Sequence, residues 1–341
     1  MTALPPTSDD RAIWDIWLKL YHFPCVTVAM EVGTFAALSA EAMTTEQLAA
    51  KLDVNARALA IHLGVLAGLQ LVERRDDHWR ATAIARTWLH PDGAGFFGPL
   101  FAGYSQTQPL HEQMKATLKT GDRAADHVSS LDEWERGDLP QEMADRITAF
   151  MNSHSIAASK ANAMQPVYAG VGSLLDVGGG SGIFAIEAAR AHPRLRATVM
   201  EIQTVANAAQ GYIDATDVAD RVSTQAVDMF RQDWPTGHDA HFFSNIFHDW
   251  SDSTCRLLAG KSFAALPLGG MIMLHEMLMD DDGCGPLVTA SFSMLMLLGT
   301  KGRQYTFGEL RGFLESVGFV DVAAARTGGG YYSLVTARKP N

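Results

Sequence analysis

A run of glycines between two predicted elements is the segment of this sequence best suited to bind a ligand. Residues 174–177 have the composition of a buried strand, residues 178–182 read Gly-Gly-Gly-Ser-Gly, and a helix is predicted to begin at Ile183. Glycine lets the backbone approach a ligand where a Cβ would clash. A dinucleotide-binding turn follows G-x-G-x-x-G and would need glycine at Ile183, so G-x-G-x-G favours a ligand without a phosphate.

Acidic side chains accompany this turn at the ends of three predicted strands. Asp176 precedes the glycines, Glu201 ends the second strand about 20 residues further on, where an acid would hold ribose hydroxyls, and Asp228 ends the third, within reach of an adenine edge. A lone glycine run is often only a flexible turn, but the strand, the helix and the acids together favour a binding site. S-Adenosylmethionine, with a ribose, an adenine and two positive groups, is the predicted cofactor.

The composition favours small-molecule chemistry. The chain has 341 residues, 47% of them apolar, and a formal net charge of -11, which argues against nucleic-acid or anionic-membrane partners. Cys25, Cys255 and Cys284 are odd in number and widely separated, so no disulfide framework or metal knuckle is expected. With no predicted targeting signal or membrane span, we expect a cytoplasmic protein.

The N-terminal third is predicted to be helical. Residues 11–40 carry apolar side chains at helical spacing, and Pro24 suggests a division into two short helices. An aromatic stripe such as Trp14 and Trp17 is usually core, but at a terminus it can also bury itself against another chain. A homodimer through this domain is the favoured expectation over a monomer.

Residues 44–82 have the pattern of a winged helix, with two helices followed by two short strands. Thr44 or Thr45 can cap the first helix, and Asn55 starts the second. The recognition-like helix offers Arg57 and His62 as its only cationic or potentially cationic groups. Because phosphate contacts dominate DNA affinity, a structural or dimerisation role is favoured over DNA binding.

Residues 96–165 are predicted to be helical, with polar breaks near 120–126 and 137–140, and from residue 172 short strands alternate with helices. That alternation predicts an α/β fold with a mostly parallel, Rossmann-like sheet, which an antiparallel hairpin after residue 319 would extend at one edge. The predicted domains are a helical winged-helix domain at 1–110, bridging helices at 111–165 and a cofactor-binding domain at 166–341.

Five motifs resemble those of the O-methyltransferase family that includes plant caffeate-type, animal acetylserotonin-type and bacterial natural-product enzymes. They are LLDVGGGSG (174–182), VDMF (227–230), FHDWSD (247–252), LPLGGMIMLHE (266–276) and GRQYTFGEL with a later GF (302–319). The resemblance covers nearly the whole chain and implies an N-terminal winged-helix dimerisation domain, a C-terminal seven-stranded methyltransferase domain and an acceptor pocket between them.

The resemblance also implies catalytic roles. His248 corresponds to the general base, Asp249 follows it in the same loop, and Glu276 corresponds to the acid that steadies the histidine. Relatives often carry a second glutamate where this chain has Gln304, and an amide cannot stabilise an imidazolium by charge. The second strand of relatives also commonly ends in Asp-Leu-Pro, whereas this chain has Glu201, Ile202 and Gln203.

Further residues complete the predicted site. Phe150, Met151 and His154 resemble a family stretch beside the acceptor, and flexible thioethers such as Met294 suit a flat ring, although such residues are more often core. The predicted cofactor-binding residues are Asp176, Gly178, Gly180, Gly182, Glu201, Asp228, Met229, Asn245 and Ser155. The predicted acceptor pocket comprises Phe150, Met151, His154, Trp250, Met294 and Leu298.

Three alternatives remain open at this point. The Gln304 departure leaves room for a nitrogen or carbon methyltransferase on the same scaffold, for acceptors that need less help from a charged pair. A metal mechanism would use His248 and Asp249 as ligands, although no metal is our expectation. A regulator that keeps the winged helix and has lost catalysis is disfavoured by the intact cofactor motif, His248 and Glu276.

Overall fold

The computed structural model describes residues 9–105, 107–123 and 130–341, which divide into two compact units. The helical unit contains residues 13–123 and 279–306 within that coverage. The sheet unit contains residues 9–12, 130–278 and 307–341. Each unit is therefore built from separated stretches of the chain.

The helical unit is made mostly of short helices. Its elements are α1 (Arg11–Leu18), a 3₁₀ turn (Lys19–Tyr21), α2 (His22–Glu31), α3 (Thr34–Ala40), α4 (Thr45–Leu52), α5 (Ala56–Gly68), β1 (Val72–Arg75), β2 (His78–Ala81), α6 (Ala83–Trp88), α7 (Gly98–Ser105), α8 (Pro109–Thr120) and the later helix α14 (Leu287–Gly299). The antiparallel pair β1 and β2 follows α4 and α5 as the winged-helix pattern predicts.

The predicted helix starts at Thr44 and Asn55 are confirmed. Thr44 Oγ1 accepts the amide of Gln47, whose side chain accepts the amide of Thr44 in return, which completes a capping box. The prediction of two short helices over residues 11–40 is wrong in number, because three α-helices form there, and Pro24 lies in the first turn of the second, just after the 3₁₀ turn. A first-turn proline costs no hydrogen bond, since that amide has no helical partner.

Helix α14 joins the helical unit although it lies far away in sequence. It is buried along most of its length and packs on α5, where a Cβ on Gly68 would lie only 3.0 Å from Cα of Leu287. Trp14 and Trp17 also pack internally, with ring centroids 5.6 and 6.2 Å from that of Phe292 on α14. Trp14 is buried and Trp17 is half-buried, so the tryptophan stripe packs within this unit.

These contacts divide the chain differently from the ranges predicted from the sequence. Residues 279–306, which the sequence placed in the cofactor-binding domain, belong to the helical unit. The predicted bridging range 111–165 is split, because α8 belongs to the helical unit and the later helices to the sheet unit. The apolar surface that buries a helix, and not its position along the chain, decides which unit it joins.

The sheet unit contains seven strands and their flanking helices. Its elements are α9 (Ser130–Arg136), α10 (Gln141–Ala163), a 3₁₀ helix (Pro166–Gly170), β3 (Ser173–Val177), α11 (Ile183–Ala191), β4 (Arg196–Glu201), α12 (Gln203–Asp214), β5 (Val222–Ala226), β6 (Ala240–Ser244), a 3₁₀ turn (Phe247–Asp249), α13 (Asp252–Ala265), β7 (Met271–Glu276), α15 (Phe307–Ser316), β8 (Val320–Arg326) and β9 (Ser333–Arg338).

The strand order is β5-β4-β3-β6-β7-β9-β8. Strands β3 to β7 are parallel to one another, and β9 runs antiparallel between β7 and β8, which confirms the predicted sheet and edge hairpin. The chain leaves β3 toward β4 and returns to place β6 on its other side. Ligands bind at such a switch point, outside the carboxyl ends of the strands.

Among the described residues, no single helix is long and apolar enough to cross a membrane. One bent pair, Arg11–Glu31 with Thr34–Ala40, meets the criteria of length and composition only.

Candidate active site

The glycine turn after β3 opens toward the switch point. Gly178 has φ +66° and donates its amide to the carbonyl of Met200 at 2.8 Å, and a Cβ here would lie 2.6 Å from Cδ1 of Ile246. Gly180 has φ +57°, and a Cβ built on it would meet no atom within 4 Å. Gly182 is the N-cap of α11 and has φ +74°. The turn thus needs glycine for its backbone and leaves open space beside Gly180.

Two buried carboxyl groups border this turn. Glu201 Oε1 accepts the amide of Gly180 at 3.1 Å, and its Oε2 accepts the amide of Ile202 at 3.1 Å. Burial raises the pKa of Glu201 to about 8, against the opposing effect of these amides, and burial raises the pKa of Asp176 to about 7. Asp176 Oδ2 is buried and has no hydrogen-bond partner. The pocket therefore holds acidic groups whose negative charge a cationic ligand would stabilise.

A cavity connects several of the predicted cofactor residues. It is lined by Trp134, Gly178, Met200, Glu201, Ile202, Val227, Asp228, Met229 and Phe230. Burial opposes ionisation of Asp228, but hydrogen bonds from Arg231 and two backbone amides outweigh it and lower its pKa. Trp134 was missed by the sequence reasoning, although its side chain hydrogen-bonds to Glu201. The only indication of it in the sequence was that an aromatic residue stands close to the polar break near residues 137–140.

Helix α10 contributes the wall next to the glycine turn. Ser181 Oγ donates to Asn152 Oδ1 at 2.9 Å, a contact that the sequence reasoning also missed. One turn later, Ser155 Oγ lies 3.4 Å from His154 Nδ1, and the ring centroids of His154 and Phe150 are 5.5 Å apart. The predicted Phe150, His154 and Ser155 therefore occupy the helix that contacts the turn. The spacing of Asn152 and Ser155 by three residues was the available clue, because such residues share a helix face.

The loop after β6 places a histidine against a buried acid. His248 is 4% exposed, and its Nδ1 lies 3.2 Å from Oε2 of Glu276 at the end of β7. The other carboxylate oxygen, Oε1, accepts the backbone amides of Ile246 at 3.2 Å and Phe247 at 3.0 Å. One carboxylate thus holds the backbone of the loop and faces the imidazole, as the predicted pairing of His248 with Glu276 requires.

The residues after His248 complete the loop. Asp249 Oδ1 lies 3.7 Å from His248 Nε2, and burial raises the pKa of Asp249 to about 6 although His248 favours its charged form. Trp250 is buried, with its ring centroid 4.8 Å from that of Phe230 and the two rings nearly perpendicular. Asn245, just before the loop, has φ +56° and a buried Oδ1 without a hydrogen-bond partner.

Three predicted site residues lie in the helical unit. Met294 and Leu298 are buried on α14, and Gln304 is 1% exposed, with its backbone amide donating to Ser293 Oγ at 3.0 Å. Within the sheet unit, the structure brings together the turn glycines, Glu201, Asp228 and Met229, and separately His248, Asp249 and Glu276.

A glycine-lined cavity with a buried acid, at the switch point of a doubly wound sheet, is the arrangement of Rossmann-like enzymes that bind a nucleotide or nucleoside cofactor. A family model for the O-methyltransferase domain matches residues 116–320. The chain belongs to this O-methyltransferase family, which confirms the resemblance found in the sequence motifs.

Individual relatives agree with this assignment. The chain is 33% identical, over 331 residues, to the 3-hydroxy-5-methyl-1-naphthoate 3-O-methyltransferase of Streptomyces sahachiroi, covering 94% of this chain and 93% of that protein. The fold matches a Planctomyces limnophilus O-methyltransferase crystallised with apigenin (TM-score 0.84, 23% identity, 98% of both chains). It also matches human N-acetylserotonin methyltransferase in complex with SAM (TM-score 0.61, 22% identity, 99% of this chain and 100% of that one).

The raised pKa of Glu201 makes stability depend on pH. Between the ordinary glutamate pKa of 4.5 and about 8, the folded state holds a proton that the unfolded state has released, so stability falls as pH rises. We expect Glu201→Gln to unfold at a higher temperature than the unsubstituted protein at pH 8, with the difference shrinking toward pH 5. The slope from this group is at most about 1.4 kcal/mol per pH unit.

Thermal unfolding of the ligand-free protein from pH 5 to pH 9 measures this effect. Glu142→Gln, on the exposed side of α10, is the matched control and should follow the unsubstituted protein throughout. A gap for Glu201→Gln that stays constant with pH would contradict a raised pKa at Glu201.

Proposed function

We propose that this chain transfers a methyl group from S-adenosylmethionine to a hydroxyl of a small aromatic acceptor, with His248 as the general base. The observation that carries the proposal is the pairing of two features at one edge of the sheet. The glycine turn with Glu201 follows β3 and β4, and His248 facing Glu276 follows β6 and β7. The first suits the donor and the second suits proton removal.

The residues present fit this donor. The open space beside Gly180, the unpartnered Oδ2 of Asp176 and the cavity between Glu201 and Asp228 can accept a molecule with several hydrogen-bond donors and positive charge. Glu201 would hold the ribose hydroxyls, Asp228 and Met229 would border the adenine, and Asp176, Ser155 and Asn245 are the remaining proposed contacts. When bound, the donor supplies the electrophilic methyl group.

His248 would take the proton of the acceptor as the new bond forms. A phenol has an ordinary pKa of about 10 and an imidazole about 6.5, so removal of the proton beforehand is unfavourable. Glu276 faces Nδ1, which assigns proton uptake to Nε2, and its negative charge would stabilise the imidazolium that results. Asp249, 3.7 Å from Nε2, would add to that stabilisation in its charged form.

An aromatic acceptor suits the residues beside His248. Burial and the nearby His248 lower the pKa of His154 to about 4, so this imidazole stays neutral and can hydrogen-bond an acceptor without repelling the forming imidazolium. Phe150 packs edge-on against it. The Streptomyces relative acts on a hydroxynaphthoate, and the Planctomyces protein was crystallised with apigenin, which supports an aromatic alcohol. The remaining residues proposed for the acceptor and its chemistry are Met151, Trp250, Met294, Leu298 and Gln304.

We propose a structural role for the winged helix in place of DNA binding. Arg57 donates to the carbonyl oxygens of Lys301 and Gly302, both at 2.8 Å, so its guanidinium is used within the helical unit. His62 is fully buried, donates Nε2–H to the carbonyl of Cys25 at 2.8 Å and has its pKa lowered to about 4 by burial. Neither group is available to neutralise a phosphate, and retention of duplex DNA at moderate salt would contradict this proposal.

We propose that a second copy of the chain covers an apolar surface of the helical unit. Ile13 and Ile16 are exposed on α1, and Leu20, Leu100 and Tyr104 are exposed around a groove that continues along α7. Exposed apolar side chains in this number are typical of an interface. We expect sedimentation velocity to show a dimer.

Substitution of this surface tests the dimer. Leu100→Asp with Tyr104→Asp should give a monomer in sedimentation velocity, because charge is costly to bury in an apolar interface. Leu268→Asp, which adds a charge at an exposed apolar site of the sheet unit, should leave the dimer intact. An unsubstituted protein that sediments as a monomer at micromolar concentration would overturn the proposal.

Gly178→Ala tests the donor site. The new Cβ would combine an unfavourable positive φ with a 2.6 Å approach to Ile246, so the turn must move. We expect S-adenosylhomocysteine to bind about 5- to 150-fold more weakly in calorimetry, as strain of about 1–3 kcal/mol implies. Gly211→Ala, in open space on α12, should bind like the unsubstituted protein. Equal affinity in all three would exclude this turn from the donor site.

His248→Gln tests the base. We expect turnover to fall by about 10²- to 10⁴-fold while S-adenosylhomocysteine affinity is unchanged, because the general base acts only on proton transfer. A panel of hydroxynaphthoates and apigenin with mass-spectrometric detection supplies the assay, and His78→Gln on the exposed wing is the control. Retained turnover in His248→Gln would show that another group is the base, and loss of activity with a chelator would indicate a metal mechanism.

A further inference from the structure

Asn245, at the start of the His248 loop, holds an unfavourable backbone conformation with help from a tyrosine. Its φ is +56°, a left-handed value that is uncommon outside glycine, although asparagine tolerates it better than most residues. Its Nδ2 donates to Oη of Tyr332 at 3.1 Å, and Tyr332 is only 2% exposed. This hydrogen bond fixes the side chain of a residue whose backbone would otherwise relax easily.

Tyr332 comes from the edge hairpin, at the same end of the sheet as Glu276. It directly precedes β9, whose first residue, Ser333, pairs in register with Glu276. The ring of Tyr332 stacks on His275, with centroids 4.5 Å apart and planes 10° from parallel. His275 Nδ1 in turn lies 2.9 Å from Oγ of Ser244. Side chains of β7 and the hairpin therefore hold two consecutive residues, Ser244 and Asn245.

The next residues of the loop depend on Glu276. Oε1 of Glu276 accepts the amides of Ile246 and Phe247, and Oε2 faces His248 Nδ1 at 3.2 Å. A change in the backbone at Asn245 would rotate the peptide that bears the Ile246 amide. Glu276 would then lose the geometry that lets one oxygen hold the loop while the other faces the imidazole.

We propose that Tyr332 is a positioning residue for His248, acting through Asn245. The hydroxyl of Tyr332 holds Asn245 in its left-handed conformation, which aligns the following amides and the imidazole with Glu276. This inference rests on the proposed function, in which His248 is the base. The hydroxyl is the informative part of the side chain, because a phenylalanine would supply the same ring for stacking without the desolvation cost of a buried polar group.

Tyr332→Phe removes that hydroxyl and little else. We expect hydrogen exchange of the Ile246 and Phe247 amides to accelerate by about tenfold, the loss expected from one hydrogen bond to a side-chain amide. We also expect the His248 imidazole signal in a ¹³C–¹H spectrum to move, and kcat on a panel acceptor to fall while KM for that acceptor stays constant. The signal is assigned by its absence in His248→Gln.

Tyr331→Phe is the matched control, since it makes the same change one residue earlier in the same turn and should alter none of these readouts. Asn245→Gly provides a second test, because glycine adopts a positive φ without a side-chain tether. In the Asn245→Gly background, Tyr332→Phe should have almost no further effect on amide exchange or on kcat.

Unchanged exchange and an unmoved His248 signal in a folded Tyr332→Phe protein would overturn the proposal. So would additive effects of Tyr332→Phe and Asn245→Gly, because the tyrosine would then act by another route. If Tyr332→Phe fails to fold, Asn245→Ala cuts the same hydrogen bond from the other side and must accelerate exchange at the two amides. Exchange is measured without donor or acceptor, so failure of S-adenosylhomocysteine binding would count against the proposed function alone.

Discussion

The site depends on a single buried carboxylate at the end of β7. Glu276 must face His248 with one oxygen while the other accepts the amides of Ile246 and Phe247. A buried imidazolium is costly unless a negative charge lies beside it, and a buried carboxylate is costly unless hydrogen bonds satisfy it. The loop amides satisfy one oxygen of Glu276 and the other oxygen faces the imidazole, so the loop geometry and the position of the proposed base depend on the same carboxylate.

The other half of the site follows a different physical rule. Burial raises the pKa values of Asp176 and Glu201, which means that the protein alone stabilises their charges incompletely. A ligand that brings positive charge and hydroxyl donors would make both carboxylates easier to ionise. The glycines beside them have no side chain to fill the space. The turn therefore combines carboxyl groups that lack a stabilising positive charge with room for a ligand.

The two units use separated stretches of the chain because packing is decided by apolar surfaces. Helix α14 is apolar on nearly every side and is buried in the helical unit, although the strand before it and the helix after it belong to the sheet unit. As a result, Gln304, Met294 and Leu298 belong to one unit and His248 to the other. The family resemblance assigns these four residues to one site. The structure describes Gln304, Met294 and Leu298 among the residues of the helical unit and His248 among those of the sheet unit.

The sequence alone determined the features that follow from local patterns. The alternation of short strands with helices and the turn residues between them predict all seven strands of the main sheet. The G-x-G-x-G turn with Glu201 predicts the cofactor class. Both patterns are visible in the sequence because local backbone rules operate over a few residues. The roles of Trp134, Asn152 and Tyr332 could not be assigned at that level, since their partners Glu201, Ser181 and Asn245 lie 67, 29 and 87 positions away. Only the tertiary structure brings such residues together, because burial and strand pairing, which no short segment contains, decide which distant side chains meet.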